Sequence, residues 1–412
     1  MLEEIRTALA SLTLYRRLLQ DPVLVALEGF LDVAEAGSLT SCSAWHEFAH
    51  RLYWSGHSYR QHWLEMIRCD DNPFTSHAEL NGTRGMGPAI LSAADDDLVI
   101  LNTMYHLDLM ALLEKTGLET ALAYSIPYEL PSNYASEFPL AHADKWEEKL
   151  DELIEYYRWH SRGILANHRA LRWDVRQGLQ AVAYPDPIRL DDLIGYQTQK
   201  EQICANTEQF LSGQPANNIL LYGNRGTGKS SMIKALLNHY AERRLALVEV
   251  NRSELAGLPE LTTQLRQYNV YFIIFVDDLS FEDYETEYKG LKAVMEGSLS
   301  GRAPNVLIYA TSNRRNLIRE SFADRNYLDE EIHARDTMEE KLSLADRFGL
   351  TITFPTPSQQ QYLEIVEGMA GRRHILMDPE LLRRRALEWE RAHHGPSGRT
   401  ARQFLDSLDL QL

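Results

Sequence analysis

Asn218-Ile-Leu-Leu-Tyr-Gly223-Asn-Arg-Gly-Thr-Gly-Lys-Ser230-Ser231 decides how the rest of this chain is read. The apolar run Asn218–Tyr222 predicts a buried strand, and the residues from Ser231 to Tyr240 predict a helix. Between them, Gly223-Asn-Arg-Gly-Thr-Gly-Lys-Ser230 fits the phosphate-loop pattern G-x-x-x-x-G-K-[ST] without a gap. Each residue type has a physical reason to stand there. Glycines at Gly223, Gly226 and Gly228 let the backbone N–H groups, with those of Asn224, Arg225 and Thr227, turn inward around phosphates. The N-terminus of the following helix, at Lys229, Ser230 and Ser231, adds a favourable partial charge. Lys229 would reach the β- and γ-phosphates, and the Ser230 hydroxyl would ligate magnesium. ATP and Mg2+ are therefore the expected cofactors. A glycine-rich turn that binds nothing is the bland alternative, and the strand and helix on either side argue against it.

A phosphate loop also needs an acid at the end of a neighbouring buried strand, to hold magnesium through water. Tyr271-Phe-Ile-Ile-Phe-Val276 runs into Asp277-Asp278 and supplies one, because such a strand is buried while its end stays polar. Asp277 is read as the magnesium residue. Asp278 stands where a glutamate often polarises the attacking water. It is one methylene shorter, so either the water sits differently or Glu282 contributes; a helix cap is its structural alternative. Val306-Leu-Ile-Tyr-Ala-Thr-Ser-Asn313 is a further apolar strand ending in an amide. Beside the aspartates, Asn313 would orient the lytic water and sense the γ-phosphate; alone, Thr-Ser-Asn is an ordinary strand exit.

Strands are predicted at Asn218–Tyr222, Ala246–Val250, Tyr271–Val276, Val306–Ala310 and Leu350–Phe354, each a helix length or more from the next. That alternation implies an α/β fold with a parallel sheet flanked by helices. Residues 1 to about 180 read as helices: Leu9, Leu12, Leu18 and Leu19 recur at helical spacing, and Leu98–Leu113 shows a similar stripe. Trp45, Trp54, Trp63 and Tyr105 are read as helix-packing core. Asn72-Pro73 and Asn81–Pro88 break helices, and Tyr184-Pro-Asp-Pro187 is a linker that paired prolines keep non-helical. Helices resume from Ser358. The expected domains are 1–183, helical; 184–356, the nucleotide-binding αβ domain; and 357–412, helical again.

At this point the order of elements resembles the AAA+ ATPases, with a P-loop (Walker A), an acidic strand end (Walker B), a polar strand end, then Leu344-Ala-Asp-Arg347 before the last strand and Gly395-Pro-Ser-Gly-Arg399-Thr-Ala-Arg402 in the lid. The resemblance implies a five-stranded parallel sheet and a small helical lid with ATP between them. By that resemblance, Gly195 and Tyr196 in Asp192-Leu-Ile-Gly-Tyr196 belong to the turn that contacts adenine. Arg347 matches the arginine finger, which acts on ATP held by a neighbouring subunit. Arg399 matches the second sensor of the lid, with Arg402 one turn on as the reserve. The Asp-Asp pair is similar to that of bacterial replication initiators and helicase loaders. More closely, Asn72-Pro-Phe74, Pro215-Ala-Asn-Asn218, Val276-Asp-Asp-Leu-Ser-Phe281 and Lys341–Phe348 resemble an uncharacterised bacterial AAA+ family of ATP-binding proteins without an established substrate.

A competing pattern lies far from these motifs. His46-Glu-Phe-Ala-His50 is H-E-x-x-H, which on a helix puts two histidines on one face with Glu47 as a general base for zinc-assisted hydrolysis. Arg51 follows where zincins usually keep an uncharged residue, and Gly56 rather than His57 occupies the third metzincin position. Glu65 is the remaining candidate ligand. Histidines exposed or hydrogen-bonded on a packed helix are the default reading.

The whole chain sets limits on function. Its 412 residues carry 42 Lys+Arg against 59 Asp+Glu, a net charge of −17 that disfavours gripping nucleic acid by bulk charge. Three separated cysteines, Cys42, Cys69 and Cys204, make no disulfide framework; they are expected to be buried thiols in a reducing cytosol. No stretch has the apolar length of a signal peptide core or a membrane span, so a cytoplasmic protein without membrane contact is expected. The leading functional expectation is an oligomeric ATPase, a ring or partial ring, whose cycle moves the lid and N-terminal region against a protein partner. A slower ATP-dependent switch or loader acting on DNA or a replication protein is the alternative. The lid arginines Arg372, Arg373, Arg383–Arg385 and Arg391 would offer it a basic face, diluted by Asp378, Glu380, Glu388 and Glu390.

Overall fold

Leu24, Leu27, Phe30 and Leu31 fall on one face of the helix Pro22–Val33, and burial of that face begins the N-terminal core. Asp21 starts the helix by accepting from the backbone N–H groups of Val23 and Leu24, with Pro22 in the first turn where its missing N–H does no harm. The computed structural model describes residues 2–34, 39–116, 137–279, 287–296, 301–313, 347–393 and 395–409. It divides into two compact units, Met1–Asn167 with Gln267–Asn269, and His168–Arg266 with Val270–Leu412.

The first unit is helical. Trp45, Trp63, Trp146, Tyr157 and Phe74 are fully buried in one core with Leu98, Leu101, Leu112 and Leu153. Asp97, buried inside it, is matched: it accepts from the backbone N–H groups of Thr13, Leu14 and Tyr15, which closes the turn after the first helix. Arg162, also buried, pairs with the buried Glu79 at 3.0 Å and donates to Gln267 O at 2.7 Å. Two sequence expectations need correction. Trp54 is 79% exposed, because it lies on the solvent face of the helix Leu39–Ser55 whose opposite face carries Trp45, Phe48 and Leu52. Cys42, Cys69 and Cys204 are half-buried rather than enclosed.

The second unit is built on one sheet. Its strands are β1 (Ala170–Asp174), β2 (Gly178–Ala181), β3 (Ile219–Gly223), β4 (Leu245–Glu249), β5 (Tyr271–Val276), β6 (Val306–Ser312) and β7 (Leu350–Phe354). Their spatial order is β2-β1-β4-β5-β6-β3-β7. Strands β4, β5, β6, β3 and β7 form the parallel sheet expected from the sequence, in adjacent registers such as Ile274↔Ile308, Leu221↔Thr311 and Leu221↔Ile352.

The strand count differs from the expected five. Ala170–Ala181, within the segment read as helical, is a hairpin whose first strand pairs parallel with β4 and whose second returns antiparallel. Leu171 and Trp173 alternate with exposed or half-buried neighbours over only five residues, too short a period-two run to stand out against surrounding helices. The Asp174 side chain accepts from the N–H groups of Arg176 and Gln177, and Gly178 takes a φ of +76°, so the chain reverses there.

Parallel strands bring their C-terminal ends to one edge, here Gly223, Val276, Ser312 and Phe354. From β3 the chain proceeds to strands on one side and finally to β7 on the other, and the opening at such a reversal is where ligands bind in open α/β sheets. The three lid helices, Gln359–Arg372, Pro379–Ala392 and Gly398–Asp409, share a small core of Tyr362, Val366, Ala386, Phe404 and Leu405. Ser358 and Asp378 cap the first two.

Candidate functional site

The loop after β3 is shaped by close backbone contact. Gly223 continues the pairing with β7 as far as Phe354, and a Cβ placed on it would lie 2.1 Å from the Phe354 carbonyl oxygen. Its φ of +150° excludes a side chain independently. Gly223→Ala is therefore expected to destabilise the protein by about 2 kcal/mol or more. The check is the thermal unfolding midpoint, and an unchanged midpoint would show that the loop relaxes without loss. Gly226 is crowded from the lid: a Cβ there would sit 3.0 Å from Ser397 Oγ and 3.1 Å from the Arg399 Cβ. Gly228, at φ +91°, turns the chain into the helix Lys229–His239.

Lys229 is nearly buried at the head of that helix. Its Nζ donates to Gly223 O and Asn224 O, both at 2.8 Å, and to Asn313 Oδ1 at 3.1 Å. Burial pushes its pKa below the ordinary lysine value, and Asp277 and Asp278 act in the opposite sense. Ser230 Oγ donates to Asp277 Oδ1 at 2.6 Å, which joins the P-loop to the end of β5. Asp278 has a φ of +50°, a left-handed conformation that costs a non-glycine residue roughly 1 kcal/mol. That conformation directs its carboxylate to Asn313, whose Nδ2 donates to Asp278 Oδ1 at 2.5 Å. Arg225 stands 3.9 Å from the other Asp278 oxygen.

These groups line a cavity of about 960 Å³ with the linker and the lid. Asp186, Pro187 and Ile188 form one wall, held by Asn238 Nδ2, which donates to the Asp186 and Ile188 carbonyls at 2.9 and 2.7 Å. Leu193, Ile194 and Tyr196 form the next. Gly195 at φ +79° and Tyr196 at φ +55° make the turn between them, and the Tyr196 hydroxyl donates to Pro355 O at 2.8 Å. Thr227, Ser230 and Ser231 supply the floor, and Arg399 and Arg402 enter from the lid. Arg372, which the sequence shows only as part of a basic run, closes the lid against the linker turn by pairing with Asp192 and donating to Asp191 O.

The cavity fits a magnesium nucleotide on its own residues: a glycine cradle that a Cβ would fill, a helix N-terminus, a lysine, and a hydroxyl beside a carboxylate. Gly223, Asn224 and Gly195 shape the walls without lining them; the Asn224 side chain is turned to Thr356 Oγ1 at 2.6 Å. Arg347 is not brought into this cavity. It precedes β7, whose other end meets the P-loop, so the length of that strand, roughly 13 Å, separates the two. Glu282 lies outside the described residues. Thr311 is missed by the motif reading: it is buried within β6, two residues before Asn313, which lies just beyond the end of that strand.

The zinc pattern is not assembled. His46, Glu47 and His50 are exposed, and Glu47 Oε1 accepts from Arg51 Nε at 2.7 Å. Glu65 is committed to Arg68 and Asn167. Among the described residues no group of three or more His, Cys, Asp or Glu side chains is placed to hold a metal ion. Spacing along a helix brings two histidines to one face but supplies no third donor.

A family described as "Protein of unknown function (DUF815)" matches residues 166–411, which excludes the motif Asn72–Phe74 read above. An AAA-ATPase of Arabidopsis thaliana is 34% identical over 111 residues, 24% of this chain and 20% of that protein. The replication factor C large subunit of Methanococcus vannielii is 34% identical over 68 residues, 16% of this chain and 13% of that protein. The chain thus spans a fifth or less of the length of these two relatives, the first of which is named as an AAA-ATPase, in line with the AAA+ resemblance. Among solved structures, the RuvB Holliday junction branch migration motor of Thermotoga maritima aligns at 14% identity and a TM-score of 0.34, over 54% of this chain and 72% of that one. The ORC1 protein of Aeropyrum pernix in complex with DNA aligns at 16% and 0.39, over 53% and 59%.

Proposed function

The chain belongs to the DUF815 family, and from the cavity its matched residues enclose we propose that it binds ATP with magnesium and hydrolyses it. The observation that carries this reading is the Ser230–Asp277 contact at 2.6 Å, beside Lys229 in a cavity that Arg399 enters. It joins the P-loop hydroxyl to the acid at the end of β5, two strands from β3, the pairing magnesium requires. Lys229 and the loop N–H groups hold the β- and γ-phosphates, and Ser230 with Asp277 holds the metal. Bound magnesium would neutralise charge on the phosphate oxygens. Asp278 accepts a hydrogen bond from the attacking water, and Asn313 fixes the direction of that carboxylate. Arg399 stabilises charge on the γ-phosphate from the lid, with Arg402 beside it. The linker residues and Tyr196 receive the base.

Arg347, on the far side of β7 from its own cavity, serves a neighbouring copy. The working form is then a homo-oligomer in which docking completes each site. Hydrolysis is directed at a macromolecular partner. A protein is favoured over nucleic acid because Arg372, Arg373 and Arg383 of the lid are paired with Asp192, Asp406 and Glu367, which reduces any basic face. Among the described residues no helix is long and apolar enough to cross a membrane.

The direct test is titration of the full chain with a fluorescent ATP analogue, with and without magnesium, and phosphate release on the same sample. At 100 times its dissociation constant, MgATP is expected to raise unfolding stability by about 2.7 kcal/mol. A melting temperature unmoved by ATP, with no phosphate release, would reject the reading.

A further inference from the structure

Thr311 is a buried polar side chain of this region to which neither the P-loop nor the sensor reading gives a role. It is 2% exposed, on β6 between Ala310 and Ser312. Its Oγ1 lies 2.5 Å from Asp277 Oδ1 and 2.9 Å from the backbone nitrogen of Asp278. The direction of both bonds is forced. An ionised carboxylate only accepts and a backbone N–H only donates, so the hydroxyl donates to Asp277 and accepts from Asp278. The Thr311 carbonyl also accepts from Leu279 N at 2.7 Å, so one residue holds three successive positions after β5.

We infer that Thr311 is the positioning residue of the metal site: it sets the rotation of the Asp277 carboxylate and, through the Asp278 N–H, the left-handed turn that aims Asp278 at Asn313. The inference rests on the ATPase reading given above. Three features support it. First, Oδ1 of Asp277 receives both Ser230 and Thr311, so the carboxylate is held from the head of the helix Lys229–His239 and from β6. Second, a hydroxyl orients the carboxylate without bringing a cation beside it, which leaves the full negative charge for the metal. Third, threonine is branched at Cβ and stiff at χ1, so a buried strand position holds its oxygen in one place. Thr311 touches neither metal nor nucleotide in this scheme and acts only through the two acids.

The experiment compares the affinity of the full chain for a fluorescent ATP analogue in magnesium and in EDTA. Thr311→Val keeps the shape and removes the hydroxyl. It is expected to lose about tenfold or more of the magnesium-dependent tightening, the usual effect of removing a partner behind a metal ligand. Its affinity in EDTA should stay within about twofold of the parent, because the P-loop is untouched. Thr311→Ser, which restores the hydroxyl, should recover most of the tightening. Should Thr311→Val fail to fold, Thr311→Cys takes its place, since its thiol is a weak donor. A variant without the hydroxyl that tightens with magnesium as the parent does overturns the inference. If the parent itself binds no nucleotide, the ATPase reading fails first, and the two failures are distinct.

Discussion

Arg347→Ala is expected to lower ATP turnover by about a thousandfold or more while leaving nucleotide affinity unchanged. The sheet supplies the reason. Gly223 pairs with Phe354 at the end of β7, and Arg347 comes three residues before its start, so its backbone lies at the opposite end of that strand from its own P-loop. An arginine so placed adds nothing to binding within one chain. In the proposed homo-oligomer its charge would reach the γ-phosphate held by a second copy, where a guanidinium matches the developing charge. Equilibrium binding and phosphate release, measured on the same sample across a range of protein concentration, read the two effects separately. Turnover equal to that of the parent would remove Arg347 from the mechanism.

Lys229→Ala is expected to lose turnover by at least about a hundredfold and also to weaken nucleotide binding, because it withdraws a nearly buried positive charge from the proposed phosphate site. This variant fails in its own cavity but retains Arg347. Mixed with Arg347→Ala, it should therefore restore part of the activity that each lacks alone, since an intact cavity can then meet an intact arginine. Phosphate release from the mixture above the sum of the separate variants is the expected result. Purely additive activity would place the arginine's action within one chain or nowhere.

Much of the site was legible along the chain because its parts are consecutive. Gly223–Ser230 must be contiguous to wrap phosphates, and Tyr271–Asp278 must run from apolar to acidic because a buried strand ends at the sheet's edge. The parallel sheet followed from helix-length spacings between apolar runs. The hairpin Ala170–Ala181 did not, since two alternating buried residues in five carry too little period to be distinguished from a helix. The histidine pattern shows the opposite failure. His46 and His50 have the right spacing, yet spacing says nothing of a third donor, and Glu65 is already engaged by Arg68.

By itself, then, the sequence determined the P-loop motif and the acids that follow β5, since each depends on neighbours within a dozen residues, and the α/β class, which depends on the spacing of apolar runs along the chain. Only the tertiary structure decided that β3 lies between β6 and β7, which brings Ser230, Asp277, Thr311 and Asn313 together from three strand ends and leaves Arg347 at the far edge. Strand order is a property of packing between distant segments, and no periodicity along the chain encodes it. The hydrogen bonds of Thr311 to Asp277 and Asp278 exist because of that order.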